Sequence, residues 1–197
     1  MYRVAAVNSR GTGSNNNNQA LLSRTSSLIK IASERPIDVL ALTETHHSNV
    51  HNDLSAAAQE SGYSIAAHSQ RPQSGRNSYA GIILLCRRDS VTRTTQLPPF
   101  TDEALSGRAL AVTVEFADAS TWNLLFVYAP ATNRLRPAFF KLLASSLPEG
   151  FTPDMCIGDF NMNANRPTPK YFVKFCSNVD LHDSWEPNGD CPWFTFH

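Results

Sequence analysis

Charged residues are scarce in this sequence. Asp, Glu, Lys and Arg make up 17% of the 197 residues, whereas typical soluble domains carry about 25%. The 17 basic and 17 acidic side chains cancel, so the formal net charge is zero. The absence of an overall basic field counts against a tight, non-specific binder of nucleic acid, although a local basic patch remains open.

Cysteine motifs typical of zinc sites are also absent. The sequence has no Cys-x-x-Cys pair and no histidine at metal-ligand spacing from a cysteine. Two cysteines belong to apolar runs, where cysteine acts as a small buried hydrophobic residue. We therefore expect reduced thiols in an intracellular protein at all four positions, which are Cys86, Cys156, Cys176 and Cys191.

Long apolar runs are missing from the whole sequence. No stretch approaches the roughly 20 apolar residues that a membrane-spanning helix needs. Residues 1–11 contain neither a basic leader nor an apolar core, so we do not expect them to be a signal peptide. We expect a soluble protein without a membrane partner, located inside the cell, the nucleus included. Nothing in the sequence indicates an oligomer.

The sequence does contain many short apolar runs separated by polar loops, with no linker or internal repeat. We therefore expect one domain over residues 1–197, of mixed α/β (α+β) class, with two sheets flanked by helices. Asn52 or Asp53 is expected to cap the second helix and Gly62 to end it. Periodicity predicts helices over 19–34, 52–62, 137–146 and 168–178, and strands over 2–7, 37–44, 63–69, 79–86, 108–117, 121–130, 154–160 and from 193 onward.

Four predicted strands end in a polar side chain of a type that serves catalysis. Asn8, Glu44, Tyr128 and Asp159 follow apolar runs, and Asn161 comes two positions after Asp159. Each of these alone has an ordinary explanation as a solvated residue, a turn former or a half-buried aromatic. Together they indicate a site, because a rigid sheet can direct side chains from distant parts of the chain into one crevice.

These residue types suit the hydrolysis of a phosphate ester. Mg²⁺ prefers oxygen ligands and retains several waters, so Glu44 with Asn8 beside it is a sufficient anchor. Asp159 is positioned to accept a proton from the attacking water, and Asn161 to hold phosphate or water through its amide. Tyr128 is expected to donate a hydrogen bond to the phosphate.

Several motifs resemble the endonuclease/exonuclease/phosphatase superfamily of Mg²⁺-dependent phosphoesterases. "GDFN" after a strand is the most specific of them, while "TETH" and "YAP" gain weight from their order. The order resembles most the endonuclease domains of non-LTR retrotransposons, which are related to abasic-site endonucleases. The matching segments are "VNSRG" (7–11), "ALTETHH" (41–47), "VYAP" (127–130), "IGDFNM" (157–162), "LHDSW" (181–185) and "FTF" (194–196).

The resemblance implies a four-layer sandwich, two mixed sheets face to face with helices outside. It also implies Mg²⁺, with Mn²⁺ as a substitute, and the roles given above to the five strand-end residues. The order of the motifs favours DNA as the substrate. Members of this superfamily also cleave phosphoinositides, sphingomyelin and RNA tails, and fold analogy does not choose among substrates.

The sequence departs from the family pattern at its C-terminus. The pattern continues beyond the "FTF" strand to an Asp-His pair, whereas this sequence stops at His197, directly after that strand. His197 is therefore not the missing catalytic histidine. We expect an incomplete domain without its last strands, with a low melting temperature or a tendency to aggregate. The alternative to an active nuclease is an inactive remnant of the domain.

Three further residues are candidates for substrate binding: His46, Asn77 and Asn163. An exposed loop is at least as good an interpretation of His46, and Asn77 and Asn163 also suit turns. Arg134 and Arg136 follow the "YAP" motif and are candidate contacts for a nucleic-acid backbone, against the default interpretation of a solvated face.

Overall fold

The computed structural model describes residues 1–9, 18–35, 37–45, 50–70, 80–162 and 167–181. Eight strands and four α-helices occur in these segments, with one short 3-10 helix at Asn133–Leu135 before α3. The elements are β1 (Val4–Asn8), α1 (Asn18–Glu34), β2 (Val39–Thr43), α2 (Val50–Glu60), β3 (Tyr63–Gln70), β4 (Gly81–Arg87), β5 (Val91–Gln96), β6 (Ala109–Phe116), β7 (Thr121–Tyr128), α3 (Arg136–Ser145), β8 (Met155–Asp159) and α4 (Lys170–Asn178).

The strands form two mixed four-stranded sheets. The first has the order β1-β2-β4-β3 and the second the order β5-β6-β7-β8. In each sheet one pair is parallel, β1 with β2 and β7 with β8, and the other pairs are antiparallel. Strand β1 packs against β8, β2 against β7, and β3 against β5 and β6. The two sheets therefore lie face to face with their parallel pairs stacked on one another.

Three apolar layers hold this arrangement together. The layer between the sheets includes Val112, Leu124 and Phe126. Helices α1 and α2 cover the outer face of the first sheet, and α3 and α4 cover the outer face of the second. Alternation along each strand explains the layers, because successive side chains point to opposite faces of a sheet. The four-layer sandwich predicted from the sequence is confirmed.

The structure differs from the sequence prediction at two described elements. Strand β5 was not predicted, because its sequence "VTRTTQ" is polar and its residues are exposed or half-buried. Helix α2 begins at Val50, so Asn52 and Asp53 lie inside its first turn and do not cap it. Gly62 does follow the helix, with a φ of +82° that favours glycine. The expected strand from residue 193 onward, and the question of the last strands, lie outside the described residues.

The described cysteines behave as buried or half-buried apolar residues. Cys86, Cys156 and Cys176 carry free thiols, and burial raises the pKa of the Cys86 thiol to about 11. Burial also raises the pKa of the Cys156 thiol far above its usual value. Cys191 lies outside the described residues. No helix in the described segments has the length and apolar character that crossing a membrane requires.

Candidate active site

The C-terminal ends of four strands meet at one end of the sandwich. In the first sheet Asn8 is paired with Thr43, directly before Glu44. In the second sheet Tyr128 is paired with Asp159. Because both strand pairs are parallel and β1 packs on β8, all four polar strand ends project at the same edge of the molecule.

Two hydrogen bonds join these residues across the gap between the sheets. Asn8 Nδ2 donates to Asp159 Oδ2 at 2.7 Å, and the Tyr128 hydroxyl donates to Glu44 Oε1 at 2.5 Å. Each bond connects one sheet to the other, so the carboxylates of Glu44 and Asp159 lie at the same end of the molecule. The structure thus brings together the residues that the sequence singled out, while their chemical roles remain predictions.

Asp159 and Asn161 form a compact turn directly after β8. Asp159 Oδ1 accepts the backbone N–H of Asn161 at 2.8 Å, and Asn161 Nδ2 donates to the carbonyl oxygen of Ala129 at 2.8 Å. Asn161 has a φ of +52°, a left-handed conformation that Asn tolerates better than most residues. The turn therefore fixes the Asp159 carboxylate from its own strand, while Asn8 fixes it from the other sheet.

Glu44 occupies a strained backbone position. Its φ is +58°, which costs a residue other than glycine roughly 1–3 kcal/mol and persists only where neighbours impose it. The backbone on both sides is held: Ser9 N donates to Thr43 O at 2.9 Å, and Thr45 N donates to Gly81 O at 3.3 Å. Such strain concentrates at functional sites, which makes this position a candidate for function.

Gly158 is required by the close approach of β7 and β8. A Cβ atom at this position would lie 1.8 Å from the carbonyl oxygen of Val127, and the φ of Gly158 is +156°. No other residue fits without moving one of the strands. The glycine of the "GDFN" motif therefore serves the placement of Asp159, the next residue.

Tyr128 is a buried hydrogen-bond donor, with 6% of its surface exposed. Burial is the largest cause that raises its pKa, followed by the hydrogen bond to Glu44, so the phenol stays protonated well into the alkaline range. A phenol has one O–H proton, and in this structure Glu44 accepts it. The predicted hydrogen bond from Tyr128 to the phosphate therefore requires an exchange of this partner.

Arg108 is a site residue that the sequence analysis missed. Its guanidinium carbon lies 4.7 Å from the centroid of the Tyr128 ring, and its Nη1 donates to the Tyr128 carbonyl oxygen at 3.3 Å. A signal was present, because β6 and β7 form a hairpin in which Ala109 pairs with Val127. Extending that register by one residue places Arg108 opposite Tyr128.

The two arginines after Tyr128 differ sharply in their surroundings. Arg134 is exposed, and its candidacy as a nucleic-acid contact stays a prediction. Arg136 has 7% of its surface exposed, and it donates from Nε to Pro130 O at 2.9 Å and from Nη2 to Ala131 O at 2.7 Å. Burial contradicts the interpretation of Arg136 as part of a solvated face, whereas its contact with a nucleic-acid backbone stays a prediction. Its guanidinium binds two carbonyl groups in the segment after Tyr128.

The donor set at this end fits a hard divalent cation. Two half-buried carboxylates and an amide are present, and Mg²⁺ is commonly bound by one or two carboxylates together with water. The described residues contain no group of three or more His, Cys, Asp or Glu suited to a metal. On either side of Glu44, the buried hydroxyls of Thr43 and Thr45 have no hydrogen-bond partner. Three predicted substrate contacts, His46, Asn77 and Asn163, lie outside the described residues.

Comparison with solved structures identifies the fold, although no protein-family model matches the sequence and no curated protein matches it significantly. The catalytic domain of Xenopus laevis APE2 is similar with a TM-score of 0.51 and 16% identity over 90% of this chain. A variant of the 3' phosphatase NExo from Neisseria, bound to a product DNA hairpin, has a TM-score of 0.57 and 16% identity over 91% of this chain. ANGEL2, a 2',3'-cyclic phosphatase, has a TM-score of 0.55 and 15% identity over 93%.

These similarities show that the chain has the fold of the endonuclease/exonuclease/phosphatase superfamily. The chain spans only part of the length of the structures that it matches: 66% of the APE2 domain, 70% of NExo and 62% of ANGEL2. At identities this low the likeness defines the architecture, and activity has to be argued from the site.

Proposed function

We propose that this protein is a Mg²⁺-dependent phosphodiester hydrolase that cleaves DNA internally, like the endonuclease domains of non-LTR retrotransposons. One observation carries the proposal: two carboxylates, two amides and a phenol from the ends of four strands converge at one end of the sandwich, joined by the bonds from Asn8 to Asp159 and from Tyr128 to Glu44. Each of the five side chains takes part in at least one hydrogen bond, which holds the carboxylates and amides in place.

The nucleic-acid part of the proposal has two supports. The sequence order of "TETH", "VYAP" and "GDFNM" resembles retrotransposon endonucleases, and the similar NExo structure contains a product DNA hairpin. The neutral net charge implies that binding depends on local contacts, for which the exposed Arg134 is the candidate next to the site.

Glu44 and Asn8 are the residues that would hold the cation, through a carboxylate oxygen and the amide oxygen. Bound there, Mg²⁺ supplies positive charge that stabilises the negative charge developing on the phosphate. The Tyr128 hydroxyl orients Glu44 by occupying Oε1. Glu44 therefore presents its carboxylate in one defined orientation.

Asp159 is the group that takes a proton from the attacking water. Its carboxylate is held by Asn8 Nδ2 and by the Asn161 backbone N–H, and a proton acceptor must be fixed within hydrogen-bond reach of the water. The Asn161 side chain is oriented by its bond to Ala129 O, which directs the remainder of the amide toward the phosphate or the water. The four residues thus divide metal binding from proton transfer.

A plasmid-nicking assay tests this function. Supercoiled plasmid DNA is incubated with the protein and Mg²⁺, Mn²⁺ or EDTA, and the relaxed form is quantified. We expect nicking with either metal and none with EDTA. Glu44→Ala and Asp159→Ala are each expected to lower the rate by roughly 100-fold or more. Asp89→Ala is the matched control, because Asp89 is exposed and pairs with Arg87 on the surface.

Nicking that survives both site substitutions would contradict the proposal, since it would come from a contaminant or another site. Absence of nicking by the unaltered chain would also contradict it. That result leaves two alternatives, a chain without turnover and a phosphatase with another substrate. Adding adenosine 2',3'-cyclic phosphate in place of plasmid separates them, because ANGEL2 is a 2',3'-cyclic phosphatase.

A further inference from the structure

The guanidinium of Arg108 lies over the ring of Tyr128, the tyrosine in the candidate site. The guanidinium carbon of Arg108 stands 4.7 Å from the Tyr128 ring centroid, within the distance at which a cation is attracted by an aromatic face. The same guanidinium donates through Nη1 to the Tyr128 carbonyl oxygen at 3.3 Å. Arg108 therefore contacts both the ring and the main chain of one residue.

A backbone hydrogen bond also joins Arg108 and Tyr128. Tyr128 N donates to Arg108 O at 2.8 Å, which continues the antiparallel register of β6 and β7 by one pair. Directly opposed residues in such a ladder bring their side chains to within about 5.5 Å of each other. The register of the β6–β7 hairpin therefore places the Arg108 side chain next to the Tyr128 ring.

Arg108 differs from the surface arginines of the same chain. Arg87 forms a bidentate pair with Asp89 and lies at the surface. Arg108 is half-buried, and none of the described carboxylates forms an ion pair with it. Among the described residues, the hydrogen bond and the ring contact of its guanidinium are both with Tyr128.

We infer that Arg108 is a positioning residue, which holds the Tyr128 ring in the orientation that brings its hydroxyl to Glu44. This inference rests on the proposed function, in which Glu44 holds the metal ion. The Tyr128 ring cannot turn about its Cα–Cβ bond without losing its contact with the guanidinium, which stays anchored to the Tyr128 main chain. Because the hydroxyl lies at the far end of the ring, a small rotation moves it out of the 2.5 Å hydrogen bond with Glu44. Misplacement by about 1 Å in an active site can lower a rate roughly 100-fold.

The test is a double-mutant cycle in the plasmid-nicking assay, with kcat and KM measured against plasmid concentration. The variants are Arg108→Met, Tyr128→Phe and the double variant, with Arg108→Lys as the conservative change. Met keeps the apolar stem and removes the planar cation, whereas Lys keeps a charge without the planar donors. Arg93→Met is the control, because Arg93 is exposed on β5, at the far edge of the second sheet.

We expect Arg108→Met to lower kcat by about 10- to 100-fold and to leave KM within about twofold. Arg108→Lys should restore part of kcat, and Arg93→Met should match the unaltered chain. In the Tyr128→Phe background the Arg108→Met change should have no further effect, because the hydroxyl that Arg108 positions is already gone. Multiplicative effects of the two changes, or a normal kcat for Arg108→Met, would overturn the inference.

A second measurement does not depend on activity. A guanidinium over an aromatic face experiences the ring current, so the side-chain NMR signals of Arg108 should be shifted upfield. The shift should persist in Tyr128→Phe and disappear in Tyr128→Leu. If the unaltered chain does not nick DNA, the proposed function fails, and this shift still decides whether Arg108 holds the ring. Its absence from the unaltered chain would overturn the inference even if nicking occurs.

Discussion

The two ends of the sandwich differ in side-chain type, with aromatic rings at one end and polar groups at the other. At the far end, the Tyr2 and Phe116 rings stack with centroids 3.9 Å apart, and Trp122 meets Phe116 edge-on at 5.2 Å. At the site end, Asn8, Glu44 and Asp159 place amides and carboxylates where the strands stop. The far end gains stability from ring packing, whereas the site end holds polar groups and a strained Glu44 backbone.

With the proposed function, this contrast would separate stability from chemistry on one scaffold. The strands of both parallel pairs have their C-terminal ends at the site. Apolar side chains can therefore close the core at the opposite end. Substitutions at the far end should therefore change the free energy of unfolding, and substitutions of site side chains should change activity. The strand backbone next to the site residues is the exception, because substitutions there should change both stability and activity.

The largest effect is expected at that exception. Gly158→Ala should lower the free energy of unfolding by about 4 kcal/mol or more, because its Cβ would lie 1.8 Å from Val127 O. Gly150→Ala is the matched control: its φ is +76°, but no atom lies within 4 Å of the added Cβ, so the cost should be roughly 1–2 kcal/mol. Urea unfolding measures both. Equal costs would show that the close approach of β7 and β8 is easily relieved.

Phe116→Ala should have the next largest effect, a loss of about 3–4 kcal/mol, because Phe116 is 1% exposed between Tyr2 and Trp122. Thermal or urea unfolding measures the loss. Nicking per folded molecule should be unchanged under conditions where the chain remains folded. A loss of activity in the folded variant would contradict the claim that far-end substitutions affect stability alone.

The smallest expected effect is a loss of stability in alkali at Tyr63, which also lies toward the far end. Its hydroxyl donates to Ile37 O at 2.7 Å, and burial raises its pKa to about 12 from 10.0. The stabilisation is fully present below pH 10 and is lost as the pH rises toward 12, because the unfolded chain releases a proton that the folded chain keeps. The loss is about 2 kcal/mol by linkage.

Urea unfolding at several pH values, compared between the unaltered chain and Tyr63→Phe, isolates this contribution from that of other tyrosines. Stability should fall more steeply between pH 10 and 12 in the unaltered chain than in the variant. Parallel curves would show that the Tyr63 hydroxyl is not held as the structure describes.

Much of this architecture was predictable from local pattern. Apolar runs predicted seven of the eight described strands, and helical spacing predicted all four described α-helices, because burial on a sheet or helix face leaves a periodic signature. Strand β5 escaped prediction because an edge strand with exposed faces needs no apolar alternation. The cap positions Asn52 and Asp53 were wrong because α2 starts earlier, at Val50, and cap-forming residues are also accepted in a first turn.

The site was predictable as a set of residues and not as a network of bonds. Polar groups after apolar runs indicated Asn8, Glu44, Tyr128 and Asp159, since strand ends carry function in layered folds. Their partners were not visible in the same pattern. The solvated-face interpretation of Arg136 was wrong because a buried arginine that binds carbonyl groups has the same sequence neighbourhood as an exposed one.

The sequence by itself determined the class of fold and the residue types available to it: where most strands form, which of them end in polar side chains, and the absence of a broad basic field. Only the tertiary structure decided which hydrogen-bond donor binds which acceptor. Asn8 and Asp159 are 151 residues apart, and Tyr128 and Glu44 are 84 apart. Local pattern acts over one or two turns of chain, whereas contacts at such separations exist only after two sheets have packed and their registers have been set.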